Sequence, residues 1–131
     1  GASQAILIAE VPTRRLSGLM ELELKKSIAD KTNWRKMLSG NPDVLNMIAK
    51  KEYCLTLISE EMKQYISQDD NVTNINYPVN IYPQKINSLS LIKTSSFEGV
   101  LEGVKGQYLL LNDNRVFNVR SHQGFIVDFS F

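Results

Sequence analysis

Cysteine is almost missing from this sequence. Cys54 stands alone, so no disulfide can form within the chain, and a secreted, oxidising setting gains no support. Cys54 lies in the apolar run Tyr53-Cys54-Leu55-Thr56-Leu57-Ile58, which reads as a buried structural thiol rather than a reactive one. His122 is the only histidine. One thiol and one imidazole fall short of the roughly four N/S ligands of a zinc site, so this chain alone does not build one. No apolar run approaches the ~20 residues of a bilayer span. No basic-then-apolar signal segment opens the chain either. The expected setting is cytoplasmic, with no membrane partner. Phosphate-cradling loops are missing too, since Gly103-Val104-Lys105-Gly106 lies between strand-like runs and opens no helix. No Ser/His/Asp arrangement is visible.

The 131 residues are 43% hydrophobic and 22% charged, a globular balance rather than a disordered one. That length suits one ordinary domain or two very small ones that lean on each other. The chain opens on Gly1 without an initiator methionine, which suggests a piece of a longer protein with Gly1 as a tag-removal scar. Net charge is only +1 but unevenly spread. Between Arg14 and Lys36, seven basic residues face Glu21, Glu23 and Asp30, a local +4 that leaves −3 elsewhere. Such a segment can meet phosphate, or it can be a solvated helix face and loop.

Along the chain, Ala5-Ile6-Leu7-Ile8-Ala9 reads as a buried strand ended by Pro12. Leu16, Met20, Leu24 and Ile28 recur every fourth residue and predict a helix over 16–29, with Leu19 and Leu22 widening its apolar stripe toward cover on more than one side. Gly18 inside it suggests close packing of another backbone. Asp30-Lys31-Thr32-Asn33 is cap-rich and predicts a short helix with Trp34, Met37 and Leu38 inward and Arg35 and Lys36 outward. Trp34 reads as a core anchor. A third helical stretch is expected from a cap at Asn41-Pro42 to Ser67, continuous or broken near Lys50-Lys51. After the polar linker Gln68-Asp69-Asp70-Asn71 the period becomes alternating. Strand candidates are 72–78, 79–82, 89–91, 100–104, 107–111, 115–120 and 125–131, with a turn at Asn112-Asp113-Asn114. The expected fold is α+β: an N-terminal strand plus helices over 1–68, then a small antiparallel β-barrel or curled sheet over 72–131.

Several stretches resemble a known family. They are Glu10-Val11-Pro12-Thr13-Arg14-Arg15, Gly18-Leu19-Met20-Glu21-Leu22-Glu23-Leu24-Lys25 and Asp30-Lys31-Thr32-Asn33-Trp34-Arg35-Lys36-Met37-Leu38. Ile75-Asn76-Tyr77-Pro78-Val79, Tyr82-Pro83, Gly103-Val104-Lys105-Gly106-Gln107-Tyr108-Leu109 and Asn118-Val119-Arg120 follow in order. Together they resemble a bacterial family of uncharacterised proteins, domain of unknown function 2797. The resemblance implies a further N-terminal region with metal-type cysteine pairs and the opening hairpin of a GIY-YIG-like unit. The first strand and helix here would then be the tail of that unit. Of the GIY-YIG constellation, only the metal-binding glutamate would fall in this chain, and Glu21 best matches it. The tyrosine-bearing hairpin and its arginine are absent, so no catalysis is expected from this chain.

The candidate sites divide by chemistry. Glu21 could hold a divalent metal completed by the missing half; the bland alternative is an exposed acid paired with Lys25 one turn on. Asn118, Arg120 and His122 would share one face if 115–120 continued as a strand, with Lys105 nearby, and Tyr108 and Phe125 could stack with bases. The alternative is the solvent side of a half-buried hairpin. His122 has no evident acid–base partner. The leading expectation is a nucleic-acid-associated, non-catalytic region that meets DNA or RNA through Arg14, Arg15, Lys31, Arg35, Lys36, Lys105, Asn118, Arg120 and His122. No cofactor is expected in this chain, with a divalent metal in the longer protein. The competing expectation is a scaffold that docks a partner or the missing N-terminal half. Oligomeric state is not legible.

Overall fold

Thr13 opens the first helix by accepting the amide of Leu16 at 3.3 Å, and Pro12 before it keeps the preceding backbone extended. Helix α1 spans Arg14–Lys25 and ends earlier than its apolar period predicts. Its last turn tightens instead, with Ser27 N donating to Leu24 O at 3.1 Å. Met20 is buried, and Leu16 and Leu24 pack beside it, so the predicted stripe is the inward face. Leu19 and Leu22 stay exposed, which corrects the expectation of cover on a second side. A methyl on Gly18 would meet open space, so no backbone packs there either.

The computed structural model describes residues 1–29 and 31–130, which divide into two compact units. The expected cap at Asp30 and the end of the 125–131 strand candidate lie outside the described residues. One unit, here the helical unit, comprises 2–32 and 43–75; the other, the sheet unit, comprises Gly1, 33–42 and 76–131.

In the helical unit, strand β1 (Gln4–Ile6) pairs antiparallel with β2 (Val72–Asn74), Ala5 opposite Thr73. Helix α3 runs over Met47–Leu57 and starts at Asn46, whose side chain accepts the Ala49 amide at 3.0 Å, rather than at Asn41-Pro42. The break falls after Leu57, not at Lys50-Lys51. Ser59 is held there by the Glu23 carboxylate, which takes its amide at 3.0 Å and its hydroxyl at 2.8 Å. A 3-10 turn over Glu60–Tyr65 follows. Met20, Ile58 and Met62 form the core with Ile8, Val11 and Leu55.

In the sheet unit, α2 (Trp34–Leu38) is capped by Asn33, which accepts the Lys36 amide at 3.1 Å. Strands β3 (Asn87–Leu89), β4 (Leu101–Lys105), β5 (Tyr108–Leu111) and β6 (Arg115–Asn118) make one sheet in the order β3-β6-β5-β4. The pair β3–β6 is parallel and the others antiparallel. The sheet is therefore open and mixed, not a closed antiparallel barrel, because β3 and β4 remain its two ends. The Asn112-Asp113-Asn114 turn is present, with Asp113 and Asn114 in the left-handed region at φ 55° and 65°. Of the 79–82 strand candidate only an isolated bridge forms, Val79 to Gly103. Gly103 is required there: a Cβ would lie 2.7 Å from Val79 Cα. Residues 125–130 form no strand. Leu38, Leu110 and Val116 are fully buried, so α2 closes the core of the later strands.

Candidate functional site

The sheet unit carries the densest chemistry. Because α2 is short and capped, Trp34 is fixed against Tyr108, the first residue of β5. Their rings are parallel within 8° at 5.6 Å between centroids. Arg35, next in the helix, places its guanidinium carbon 4.3 Å from the Trp34 ring centroid. Arg35 is exposed, and no carboxylate pairs with it among the described residues. Asn118 faces Tyr108 in the β5–β6 register. Its Nδ2 lies 3.5 Å from the Tyr108 hydroxyl, and its Oδ1 accepts from Gln107 Nε2 at 3.0 Å. Arg35, Trp34, Tyr108, Asn118 and Gln107 thus form one contact chain at one end of the sheet.

Lys105 faces Tyr108 from β4 but points inward. It is 4% exposed, and its ammonium donates to Met37 O at 3.0 Å. The rings of Tyr77 and Tyr82 lie 5.4 and 5.1 Å from it. Burial pushes the Lys105 pKa below the ordinary lysine value. This amine supports α2 from beneath rather than facing solvent.

Asn118, Arg120 and His122 do not share a strand face. Strand β6 ends at Asn118, whose side-chain oxygen accepts the Ser121 amide at 3.3 Å and starts a 3-10 turn over Val119–His122. Arg120 is exposed on that turn. His122 is buried: Leu91 N donates to Nε2 at 3.1 Å, and Nδ1 lies 2.8 Å from Asn118 O. With Nε2 accepting and Nδ1 facing the Asn118 carbonyl, the ring joins three segments. Phe117 stacks on the ring at 4.5 Å and Phe125 meets it edge-on at 5.5 Å. Both nitrogens are already engaged. Arg115 is likewise occupied, by Asp113 at 2.7 Å and Glu98 O at 2.7 Å. A depression lined by Ile81, Pro83, Glu102, Leu111, Asn112, Asp113 and Asn114 carries carboxylates and does not suit phosphate.

Arg14, Arg15 and Lys31 are exposed but belong to the helical unit, so the basic segment read from the sequence is divided between the two units. Counted by unit, the sheet unit has seven Lys/Arg against four Asp/Glu, and the helical unit eight against ten. The net charges are +3 and −2. Glu21 is exposed on α1 and pairs with Lys25 at 2.9 Å. Among the described residues, no group of three or more His, Cys, Asp or Glu could hold a metal. Cys54 is buried, and burial pushes its thiol pKa up.

Sequence reading missed the Trp34–Tyr108 stack and the inward Lys105. It also missed Lys51, which is 3% exposed and donates to Ser67 O, Asp69 O and Asp70 Oδ1 at 2.7–2.9 Å. The adjacent Trp-Arg pair after a capping Asn was the one available signal, and it lacked a partner strand.

The architecture is that of an α+β protein with an open mixed sheet, and no helix in the described residues is long and apolar enough to cross a membrane. The chain belongs to the family described as protein of unknown function (DUF2797), whose model matches residues 1–127. No curated protein and no solved structure matches it.

Proposed function

We propose that this chain is a non-catalytic, nucleic-acid-associated region of a larger GIY-YIG-like protein, with its contacts centred on the sheet unit. The observation behind this reading is the division of charge, +3 on the sheet unit against −2 on the helical unit. Local positive charge attracts phosphate and steers association. Arg35, Lys36 and Arg120, exposed cations of the sheet unit, are the ones that meet the backbone in this reading. Lys105 and His122 hold the elements that present these groups. Arg14, Arg15 and Lys31 sit on an acidic unit and have the smaller share. A divalent metal at Glu21 would draw its remaining ligands from outside this chain.

The test is a titration of fluorescent oligonucleotides at two salt concentrations. Micromolar binding that weakens steeply with salt is expected. Arg120→Ala should weaken it for every sequence and lower the salt slope by about 1. An Arg14→Ala/Arg15→Ala variant should change it less. Absence of binding at low salt removes this reading.

A second reading is favoured by the outer edge of β1. Ile75 N donates to Ser3 O at 2.9 Å, which makes Ser3 and Ala5 the hydrogen-bonded positions toward β2. The backbone groups of Gln4 and Ile6 therefore point away, and residues 1–9 carry no charged side chain to guard that edge. In this reading the chain is a scaffold that receives a strand from a partner or from a preceding part of its own protein. A longer chain should then show slow amide exchange at Gln4 and Ile6. Fast exchange at both removes it.

A further inference from the structure

Trp34 is the single tryptophan of the chain and packs, only partly buried, against the core of the sheet unit. One face packs parallel on Tyr108, which is itself buried at 8% exposure. Arg35 lies over the indole ring, so the three planar groups Tyr108, Trp34 and Arg35 form one contiguous cluster that ends in an exposed guanidinium. A guanidinium is planar, weakly hydrated and hydrogen-bonds only at its edge, so a face left open to water suits another planar group. Elsewhere in the sheet unit, Arg115 is neutralised by Asp113; no carboxylate does this for Arg35 among the described residues. Gln107 and Asn118 stand beside Tyr108 with their side-chain amides bonded to each other and to the Tyr108 hydroxyl, which fixes the ring under Trp34.

We propose that the Arg35–Trp34–Tyr108 cluster is a stacking platform for an unpaired base, which makes single-stranded DNA or RNA the ligand class of the sheet unit. This rests on the nucleic-acid reading above and sharpens it. Phosphate contacts alone would not distinguish strand forms, because both carry the same backbone. In a duplex each base is already stacked on its neighbours and its face is closed. A single strand offers free faces, which stack on aromatic rings and on arginine planes. The guanidinium also places positive charge at the stack, next to the phosphates that flank the base. The platform is prebuilt: Tyr108 is locked by the sheet, Asn33 caps α2, and Lys105 holds Met37 O from below. Little side-chain ordering is then left for binding.

Trp34 is also the built-in reporter. Its emission is followed while a 12-nucleotide oligothymidylate and a 12-base-pair duplex are titrated into the wild-type chain and Arg35→Lys, with anisotropy of labelled strands measured in parallel. Arg35→Lys keeps the charge and removes the plane, and at an exposed position it leaves the fold intact, as circular dichroism would verify. The expected result has three parts. The single strand binds about tenfold tighter than the duplex. Trp34 emission changes in step with single-strand binding. Arg35→Lys loses about tenfold on the single strand while its salt slope is unchanged. Equal affinity for the two strand forms, a silent Trp34 during binding, or an Arg35→Lys variant equal to wild type overturns the platform while leaving the nucleic-acid reading in place. Failure of both strand forms to bind at low salt overturns both.

Discussion

Each unit of this protein buries one lysine, and the two are treated differently. In the helical unit, Lys51 lies on α3's inward face with Cys54 and finds three oxygens, the carbonyls of Ser67 and Asp69 and the carboxylate of Asp70. In the sheet unit, Lys105 finds one carbonyl and two tyrosine rings. The first arrangement ties a polar connection down, since the loop 67–70 is drawn around the ammonium. The second fills space under α2 and supports the residues that carry Trp34 and Arg35. The cores differ in the same sense. In the sheet unit Leu38, Leu110 and Val116 are fully covered, with Tyr108 at 8% beside them, whereas all three buried core residues of the helical unit, Met20, Ile58 and Met62, retain 4–7% exposure. A buried charge with several oxygen partners is a staple; one with few is a packing element that happens to be charged.

Four substitutions or titrations bear on that contrast. The largest effect is expected from Leu110→Ala, which empties a fully enclosed site in the sheet unit. It should cost about 2–5 kcal/mol in urea unfolding, with β4–β6 amides losing exchange protection first. Lys51→Met comes next, at about 1.5–3 kcal/mol, because its carbonyl acceptors lose a charged donor. Faster amide exchange at 67–71 would locate the loss. Lys105→Met should change stability by less than about 1 kcal/mol, since the thioether fills the same space between the tyrosines and a single carbonyl loses its partner. If Lys105→Met proves as costly as Lys51→Met, the distinction between staple and packing element fails.

The smallest effect concerns Glu23. Hydrogen bonds from the Ser59 amide, then the Ser59 hydroxyl, hold its carboxyl below the ordinary glutamate value. Because the folded value is the lower one, the stabilising contribution is present above about pH 4.3 and fades as pH falls through the folded value. Wild type should therefore exceed Glu23→Gln in stability near neutral pH and converge with it only once the pH has fallen below the lowered folded value, where the wild-type carboxyl is protonated. A carboxyl carbon titration by NMR reads the lowered value directly. A midpoint at or above the ordinary glutamate value would show that Ser59 does not hold it.

Much of the local structure was legible. The four-residue recurrence of Leu16, Met20 and Leu24 marks the inward face of α1, and the Glu21–Lys25 pair follows from their spacing. Asn33 before Trp34 marks the start of α2, and Asn112-Asp113-Asn114 marks the turn between β5 and β6. Arg35 and Lys36 fall on the outer side as the helical phase requires. The strand continuation through Arg120 and His122 was not legible, because an Asn that reads as a strand residue acts instead as a cap. The helix break at Ser59 was hidden for a similar reason, since it depends on Glu23, distant in sequence.

By itself the sequence determined what local physics can decide: an α+β chain with one thiol, no apolar run of bilayer-spanning length, capped helices and a polar turn. Only the tertiary structure decided which segments share a core. Residues 33–42 pack with strands that begin more than forty positions later, and no periodicity encodes that choice. The same folding separates one basic run into a positive and a negative unit, turns Lys105 and His122 inward, and sets Tyr108 beneath Trp34. Periodicity fixes which face of an element is apolar; the element that covers it is chosen by shape and by long-range hydrogen bonds, which exist once the chain has closed.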